Sequence, residues 1–529
     1  MTRPAPPRDD LIPLAAGSGT HGEATGGVIP GETADDLIPI VPAVRLSPGV
    51  RALFVGLRVA GVIILVSFAP GAGVVALVGL VAYVLVRTRV ETTTIIAVYA
   101  LALLLVPSRY TLGVYAVTVA MLVGFVASVL WVYDRLLHGR RHLGRQPRVR
   151  FAVEAFFFAN LASYIVMNLG RTPAVELQSA DRNLVVTMVL FGVFLALADG
   201  VPTLEGIRRV LGTLVVGGAV IAVVGMMQHL WRVDVGAFLR PPAFTVEGTD
   251  TFIYQRAGLS RVAGTARHPI EFGVSCALIM PLCAYFVAHA RGRVTRLASG
   301  ATAVALMFAL LFALSRSALL AVAVAALVML PTWSRTQRAQ MVGGTLGVLV
   351  LLRLTFPMVM ATLGDLIAGS AGTPSVNSRR NAIDLGLDLW ARRPIFGHGI
   401  GAELRLPVIV DNQYIVTLVE SGIVGLVTFV GVGVAGVLTA RRIRRATADP
   451  QIRDLAQALV AMMATTAVAG FGLNVLRFPM TAGLFFIAAG CLAALARVTS
   501  EPVTVREDAG DVAGEPPERM ATAPVPAVR

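Results

Sequence analysis

Apolar runs of about 15–27 residues, separated by short polar breaks, fill the chain from near residue 50 to residue 496. They lie at 51–69, 71–86, 92–106, 111–133, 151–169, 184–200, 210–230, 270–290, 297–314, 318–333, 341–360, 413–439, 455–475 and 479–496. About 20 apolar residues suffice for a helix to cross the bilayer core. Only a helix or a closed barrel satisfies its backbone polar groups there. The pattern therefore predicts an all-α, polytopic integral membrane protein with about 14 transmembrane helices, within a range of 12 to 14.

The ends read differently. Residues 1–45 and 500–529 are rich in Pro, Gly, Ala, Thr and acids and lack helical periodicity. They are expected to be disordered tails flanking a transmembrane domain over 46–499. Residues 1–45 contain no short apolar core with a cleavage site, so no signal peptide is expected there. The pentapeptide Asp-Asp-Leu-Ile-Pro occurs at Asp9–Pro13 and again at Asp35–Pro39. It reads either as a docking motif for polysaccharide-assembly proteins or as chance repetition.

Charge orients the spans. Arg87 and Arg89, the run from Arg135 to Arg150, Arg208 and Arg209, Arg291 to Arg296, Arg335 and Arg338, and Arg441 to Arg445 fall in every second loop. The excess of basic residues in cytoplasmic loops then puts both termini in the cytoplasm of a multi-pass cell-membrane protein. Two long loops, 231–269 and 361–411, fall outside. The net charge of +14 comes from arginine, since the chain has no lysine. That balance favours anionic lipid headgroups or phosphate substrates, and no nucleic-acid module is visible. Cys276, Cys283 and Cys491 all lie in apolar spans, which suggests neither a disulfide framework nor a metal site. No cofactor is expected.

The long loops carry the candidate chemistry. Arg232, Arg240, Arg256, Arg261, Arg267, Arg379, Arg380, Arg392, Arg393 and Arg405 all lie in them. Long loops cross the membrane regardless of charge. Guanidinium groups facing outward also grip phosphate oxygens in pairs. Residues 378–392 read as an amphipathic helix on the outer membrane surface, capped by Ser378. Its apolar stripe is Ile383, Leu387 and Trp390, and its charged ladder Arg380, Asp384, Asp388 and Arg392 reads as a solvated face. Pro394 stops it, and Gly397, Gly399 and Gly401 form a tight turn that lets backbone approach a ligand or a neighbouring helix.

Three segments together resemble the O-antigen ligase and polysaccharide polymerase family. Arg261-Val-Ala-Gly-Thr-Ala-Arg-His-Pro269 is similar to its Arg-x-x-Gly-Thr-x-x-x-Pro stretch, and Leu314-Ser-Arg-Ser317 to its Ser-Arg pair at an outer helix end. Ser378-Arg379 through Gly425 resembles its signature, with Arg393-Pro-Ile-Phe-Gly-His-Gly-Ile-Gly401, Asn412-Gln-Tyr414 and Glu420-Ser-Gly-Ile-Val-Gly425. The resemblance covers roughly a third of the chain. It implies a GT-C-like membrane glycosyltransferase that takes an undecaprenyl-diphosphate-linked glycan donor and a glycan acceptor, among membrane lipids. Ligases of the family carry His before the Asn, where this chain has Asp411. The departure tilts the expectation toward a polymerase.

On that resemblance, Asp411 and Arg316 are the expected catalytic residues. Asp411 would accept a proton from an acceptor hydroxyl, or else cap the next helix. Arg316 would stabilise the leaving diphosphate, or else snorkel to headgroups. Arg261, Arg267, His268, Arg379, Asn412, Tyr414 and Glu420 are the expected substrate-binding residues. His268 is also a candidate proton donor, and Glu420, inside a span, needs a partner. A lipid or polysaccharide exporter or flippase is the rival reading, and a scaffold acting through its tails a third. Against the exporter stands the absence of two related halves.

Overall fold

The computed structural model describes residues 91–113, 116–138, 146–170, 172–241, 244–247, 253–256, 258–368 and 374–500. The expected spans at 51–69 and 71–86, both tails and the repeated pentapeptide lie outside them.

Fourteen α-helices of more than one turn are described: α1 (Thr92–Leu105), α2 (Val119–His138), α3 (Arg148–Asn168), α4 (Ala174–Gly200), α5 (Leu204–Trp231), α6 (Pro269–His289), α7 (Arg293–Phe312), α8 (Arg316–Met329), α9 (Arg335–Thr355), α10 (Pro357–Ala368), α11 (Pro374–Ala391), α12 (Gln413–Ala446), α13 (Pro450–Ala469) and α14 (Pro479–Ser500). Nine of them (α2–α7 and α12–α14) are long and apolar enough to cross a membrane. The α9–α10 pair passes that test only as a unit, bent by 114° at its break. Pro357 supplies no N–H and disfavours helical geometry at Phe356, so the run expected as one span at 341–360 folds as two helices. Helices α1 and α8 are apolar but shorter.

Residues buried along α14 from Met480 to Leu495 put that helix through the middle of the bundle, against α4, α12 and α13. Phe151, Phe158, Val216, Leu327 and Val427 are exposed, as side chains facing lipid would be. Helices α12 and α3 pack side by side, as do α4 and α14. These contacts bring the two long polar segments to one end of the bundle.

Neither segment is an open loop. In the first, β1 (Tyr110–Thr111) pairs antiparallel with β2 (Thr245–Val246), and β3 (Ile253–Arg256) with β4 (Leu259–Val262). In the second, α11 begins at Pro374, ahead of Ser378, and so replaces the expected cap. Its Arg380, Asp384, Asp388 and Arg392 are exposed, as a solvated ladder should be. Its buried face is built from small residues, Ala382 and Gly386, set against Val410, Ile415 and Val416. The helix therefore docks on α12 through a face that its Ile383–Leu387–Trp390 stripe did not mark.

Candidate functional site

The glycine-rich turn is explained by a break in α12. Gly422 has φ 64° and ψ −162°, outside helical space, which releases backbone groups on both sides of it. The turn takes them up. His398 N–H donates to the Val419 carbonyl (2.8 Å) and Gly399 N–H to that of Glu420 (2.9 Å). In return Ile423 N–H donates to the Pro394 carbonyl (2.8 Å) and Val424 N–H to that of Ile395 (3.3 Å). Both glycines are needed for this approach. A Cβ on Gly397 would stand 2.4 Å from the Glu420 carbonyl oxygen, and one on Gly422 2.2 Å from that of Ile395. Ser163 on α3 also donates to the Glu420 carbonyl (2.6 Å), and Ser421 donates to Asn160 (3.0 Å), so the break is tied to a neighbouring helix.

The break turns the Glu420 carboxylate toward the Gly401 N–H, which it accepts at 2.7 Å. Next along the chain, Glu403 on the short 3-10 turn Ala402–Arg405 accepts from Asn474 (3.0 Å) and is ion-paired with Arg477. Burial raises the Glu403 carboxyl above its ordinary range. Arg477 and Asn474 oppose that shift and the Asp411 charge adds to it. Arg405 is anchored to α4 through Glu176 (Nε to Oε2, 2.8 Å), and its Nη1 donates to His398 Nδ1 at 3.1 Å. A neutral His398 ring then donates from Nε2 to the Leu389 carbonyl (2.8 Å). The turn is thereby pinned to α4, α11 and α12 together.

Two adjoining cavities open beside it. The first, of about 70 Å³, is lined by Asn160, Asn183, Ile400, Glu403, Gln413, Glu420, Asn474 and Arg477, with Phe156 and Phe486 as apolar walls. The second, of about 110 Å³, shares Asn183, Glu403 and Arg477 and adds Arg182, Glu247 and Arg267. Arg182 grips Glu247 with both terminal nitrogens (2.7 and 2.8 Å), and Arg267 Nη2 donates to the same carboxylate at 2.7 Å. Burial disfavours the Glu247 charge. Hydrogen bonds from Arg182 and the charges of Arg267, Arg182 and Arg477 outweigh that, and hold its carboxyl below the usual range.

Arg267 and Glu420 are thus the expected site residues that line the cavities. Arg261 and Arg316 both attach to a neighbouring turn. Arg261 Nε donates to the Ala313 carbonyl at 2.8 Å, and Arg316 opens α8 just after the Ser315 cap. A Cβ on Gly472 would stand 2.8 Å from the Ser317 hydroxyl, which ties this turn to the 470–478 segment. The same segment receives the start of α12, where Gln413 N–H donates to the Gly470 carbonyl (2.8 Å). Arg316 and residues 378–414 therefore share one end of the bundle.

Asn412 caps α12 by accepting from the N–H groups of Tyr414 and Ile415 (2.9 and 3.2 Å). That leaves Asp411 free of the capping task, facing Arg379 at 3.9 Å. Burial raises the Asp411 carboxyl, against the opposing charges of Arg379 and Arg477. Tyr414 donates its hydroxyl to the Ala467 carbonyl (2.6 Å) and lies against Phe471, with ring centroids 4.6 Å apart. His268 caps α6, its Nδ1 accepting from Ile270 N–H at 3.2 Å. Burial, with Arg261 and Arg109 adding to it, lowers this imidazole to about 4. The ring is then neutral at pH 7, with its proton on Nε2.

Arg182, Glu247, Glu403, Asn474 and Arg477 line the cavities without having been singled out from sequence. Arg477 had a signal, since it lies in the very short break between the runs 455–475 and 479–496. Glu247 had a weaker one, as one of three acids in a segment with five arginines. Arg182 had none. Among the described residues, no group of three or more His, Cys, Asp or Glu side chains is placed to hold a metal ion.

No curated protein matches the chain. Residues 301–430, from α7 through the break in α12, match the family model described as O-Antigen ligase. The chain thus combines many apolar helices, and a polar site at one end of them, with a stretch similar to the O-antigen ligase family.

Proposed function

We propose that the protein is a membrane glycosyltransferase acting on undecaprenyl-diphosphate-linked oligosaccharide at the outer face of the cell (plasma or inner) membrane, in cell-surface or exopolysaccharide biosynthesis. The observation that carries this reading is the convergence of Arg182, Arg267 and Arg477 on cavities beside the glycine turn, at the bundle end that also holds Arg316 and Asp411. Polymerisation is favoured over ligation because Asp411 stands where ligases of the resembled family carry His.

In this reading the glycan donor lies with its diphosphate among the arginines and its polyprenyl chain in the bilayer. The acceptor hydroxyl oxygen attacks the anomeric carbon and its proton passes to Asp411. The bond from that carbon to the diphosphate oxygen breaks, and the electron pair stays on the leaving diphosphate. Guanidinium groups fixed in advance stabilise that growing charge. Arg316 and Arg261 approach it from the 313–316 turn and Arg267 from the cavity. Arg379 sets the basicity of Asp411. His268 Nε2, Asn412, Tyr414 and Glu420 shape the walls around donor and acceptor.

Helices α1 and α8 and the bent α9–α10 pair are taken as further crossings. With the expected spans at 51–69 and 71–86 this makes about fourteen, and both termini then lie in the cytoplasm with tails open to assembly proteins.

The test is transfer in vitro from a defined undecaprenyl-diphosphate oligosaccharide, with product length measured. A ladder of products is expected, together with loss of transfer by at least about 100-fold in Asp411→Asn and Arg316→Gln, the scale associated with a general base or an oxyanion donor. A single addition to a different acceptor would make the protein a ligase. Full transfer by either variant would remove that residue from the site.

A further inference from the structure

The cavity between α4 and the 263–268 turn holds a carboxylate where the proposed donor would place its diphosphate. Glu247 takes both terminal nitrogens of Arg182 and one of Arg267. A planar carboxylate held in a guanidinium fork uses the geometry that two phosphate oxygens would use. The two arginines are not equally free to leave it. Arg267 is fixed by its Nε donating to the Ser108 carbonyl (3.0 Å) and by its backbone N–H donating to Glu271 (2.8 Å). Its own carbonyl accepts from Arg109 Nε (3.0 Å) and from the Tyr254 hydroxyl (3.2 Å). The side chain of Arg182, by contrast, is held by Glu247. Glu247 itself hangs from a two-residue pairing of β2 with β1, continued by its own N–H donating to the Arg109 carbonyl at 2.9 Å.

Charge balance gives this arrangement a direction. With Glu247 in place, one carboxylate is shared by two guanidinium groups. With Glu247 withdrawn, two cationic groups face the cavity, which matches the two negative charges of a sugar-linked diphosphate. Arg477 on the shared wall stays paired with Glu403 and so adds no net charge to this balance.

Resting on the proposed donor, we propose that Glu247 is a resident counter-ion of the diphosphate subsite. It holds Arg182 and Arg267 in register while the cavity is empty, and the donor's diphosphate displaces it. Glu247 is a positioning residue. It lowers the cost of keeping two like charges side by side and at the same time competes with the ligand. A purely structural ion pair has the first effect and lacks the second.

These two effects move opposite ways when the carboxylate is removed, and that sets the experiment. Wild-type protein, Glu247→Gln and Arg182→Gln are reconstituted in nanodiscs. Binding of inorganic pyrophosphate and of undecaprenyl diphosphate is titrated, and thermal unfolding is recorded without ligand. Glu247→Gln is expected to unfold at lower temperature yet bind both diphosphates at least about 5-fold more tightly. Arg182→Gln is expected to bind them more weakly. Equal or weaker binding by Glu247→Gln overturns the proposal and makes Glu247 structural. Should Glu247→Gln fail to fold, Glu247→Asp carries the test, since its shorter reach weakens the internal pair while keeping its charge. Tighter binding than wild type is again expected, and equal or weaker binding overturns the proposal. Wild-type protein that folds but binds neither diphosphate would instead overturn the donor reading, and this inference with it.

Discussion

The two long polar segments fold to the same end of the bundle and contribute opposite chemistry. Residues 231–269 bring arginines fixed by backbone carbonyls: Arg267 on Ser108, Arg261 on Ala313 and Arg240 on Phe244. Carbonyls hold a guanidinium in place without cancelling its charge, although Glu247 also pairs with Arg267. Residues 361–411 bring acids, Glu403 and Asp411, and their Arg405 is spent on Glu176 of α4. In the cavity wall the first segment supplies the guanidinium of Arg267, itself paired with Glu247, and the second the carboxylate of Glu403, while Asp411 faces Arg379. The cavities lie where the two meet. A phosphate-bearing substrate and a hydroxyl to be deprotonated need such a division, because one environment cannot be electropositive and basic at a single atom.

Several substitutions break or sharpen this contrast. The largest effect is expected at Gly422→Ala, which puts a Cβ 2.2 Å from the Ile395 carbonyl oxygen at a φ of 64°. Backbone strain alone costs about 1–3 kcal/mol, and the clash adds to it by forcing the turn off α12. Unfolding temperature and transfer are both expected to collapse. A protein with wild-type stability would mean that the break in α12 is dispensable.

A smaller effect separates the segments electrically. Arg379 and Arg477 oppose the rise that burial gives the Asp411 carboxyl. Removing Arg379 as Gln leaves burial less opposed, so Asp411 should protonate at higher pH. A base must be ionised to work, so activity falls on the acid side as pH drops through that value. The acid limb of the pH–rate profile is therefore expected to move to higher pH in Arg379→Gln, whose guanidinium lies 3.9 Å from the carboxylate. A limb that stays in place would take Asp411 out of the proton-accepting role.

Hydrophobic pattern alone located most of the architecture. Nine of the expected spans within the described residues coincide with a helix long and apolar enough to cross a membrane, because an alternation of lipid-length runs and arginine breaks leaves a chain few other ways to fold. The glycine turn was also legible, since Gly397, Gly399 and Gly401 announce close backbone approach. Its partner, a helix broken at Gly422, was not, because a single Gly inside an apolar run is compatible with an unbroken span. The bend at Pro357 was missed for the converse reason: the apolar run continues through the Pro. Most elusive was the Arg182–Glu247 grip. Its two residues are 65 positions apart, one in a helix and one beside a two-residue strand. Sequence signals which residues carry charge, and only packing decides which carboxylate meets which guanidinium.

The central claim is that arginines from separate elements converge on the pyrophosphate of a polyprenyl-linked glycan. An experimental structure of the protein in nanodiscs with bound undecaprenyl-diphosphate oligosaccharide tests it most directly. The account predicts pyrophosphate oxygens within hydrogen-bonding distance of Arg267 and Arg182, with Glu247 turned away and the sugar directed toward Asp411. A diphosphate bound at the opposite end of the bundle, with the Glu247 pairs intact, would contradict it.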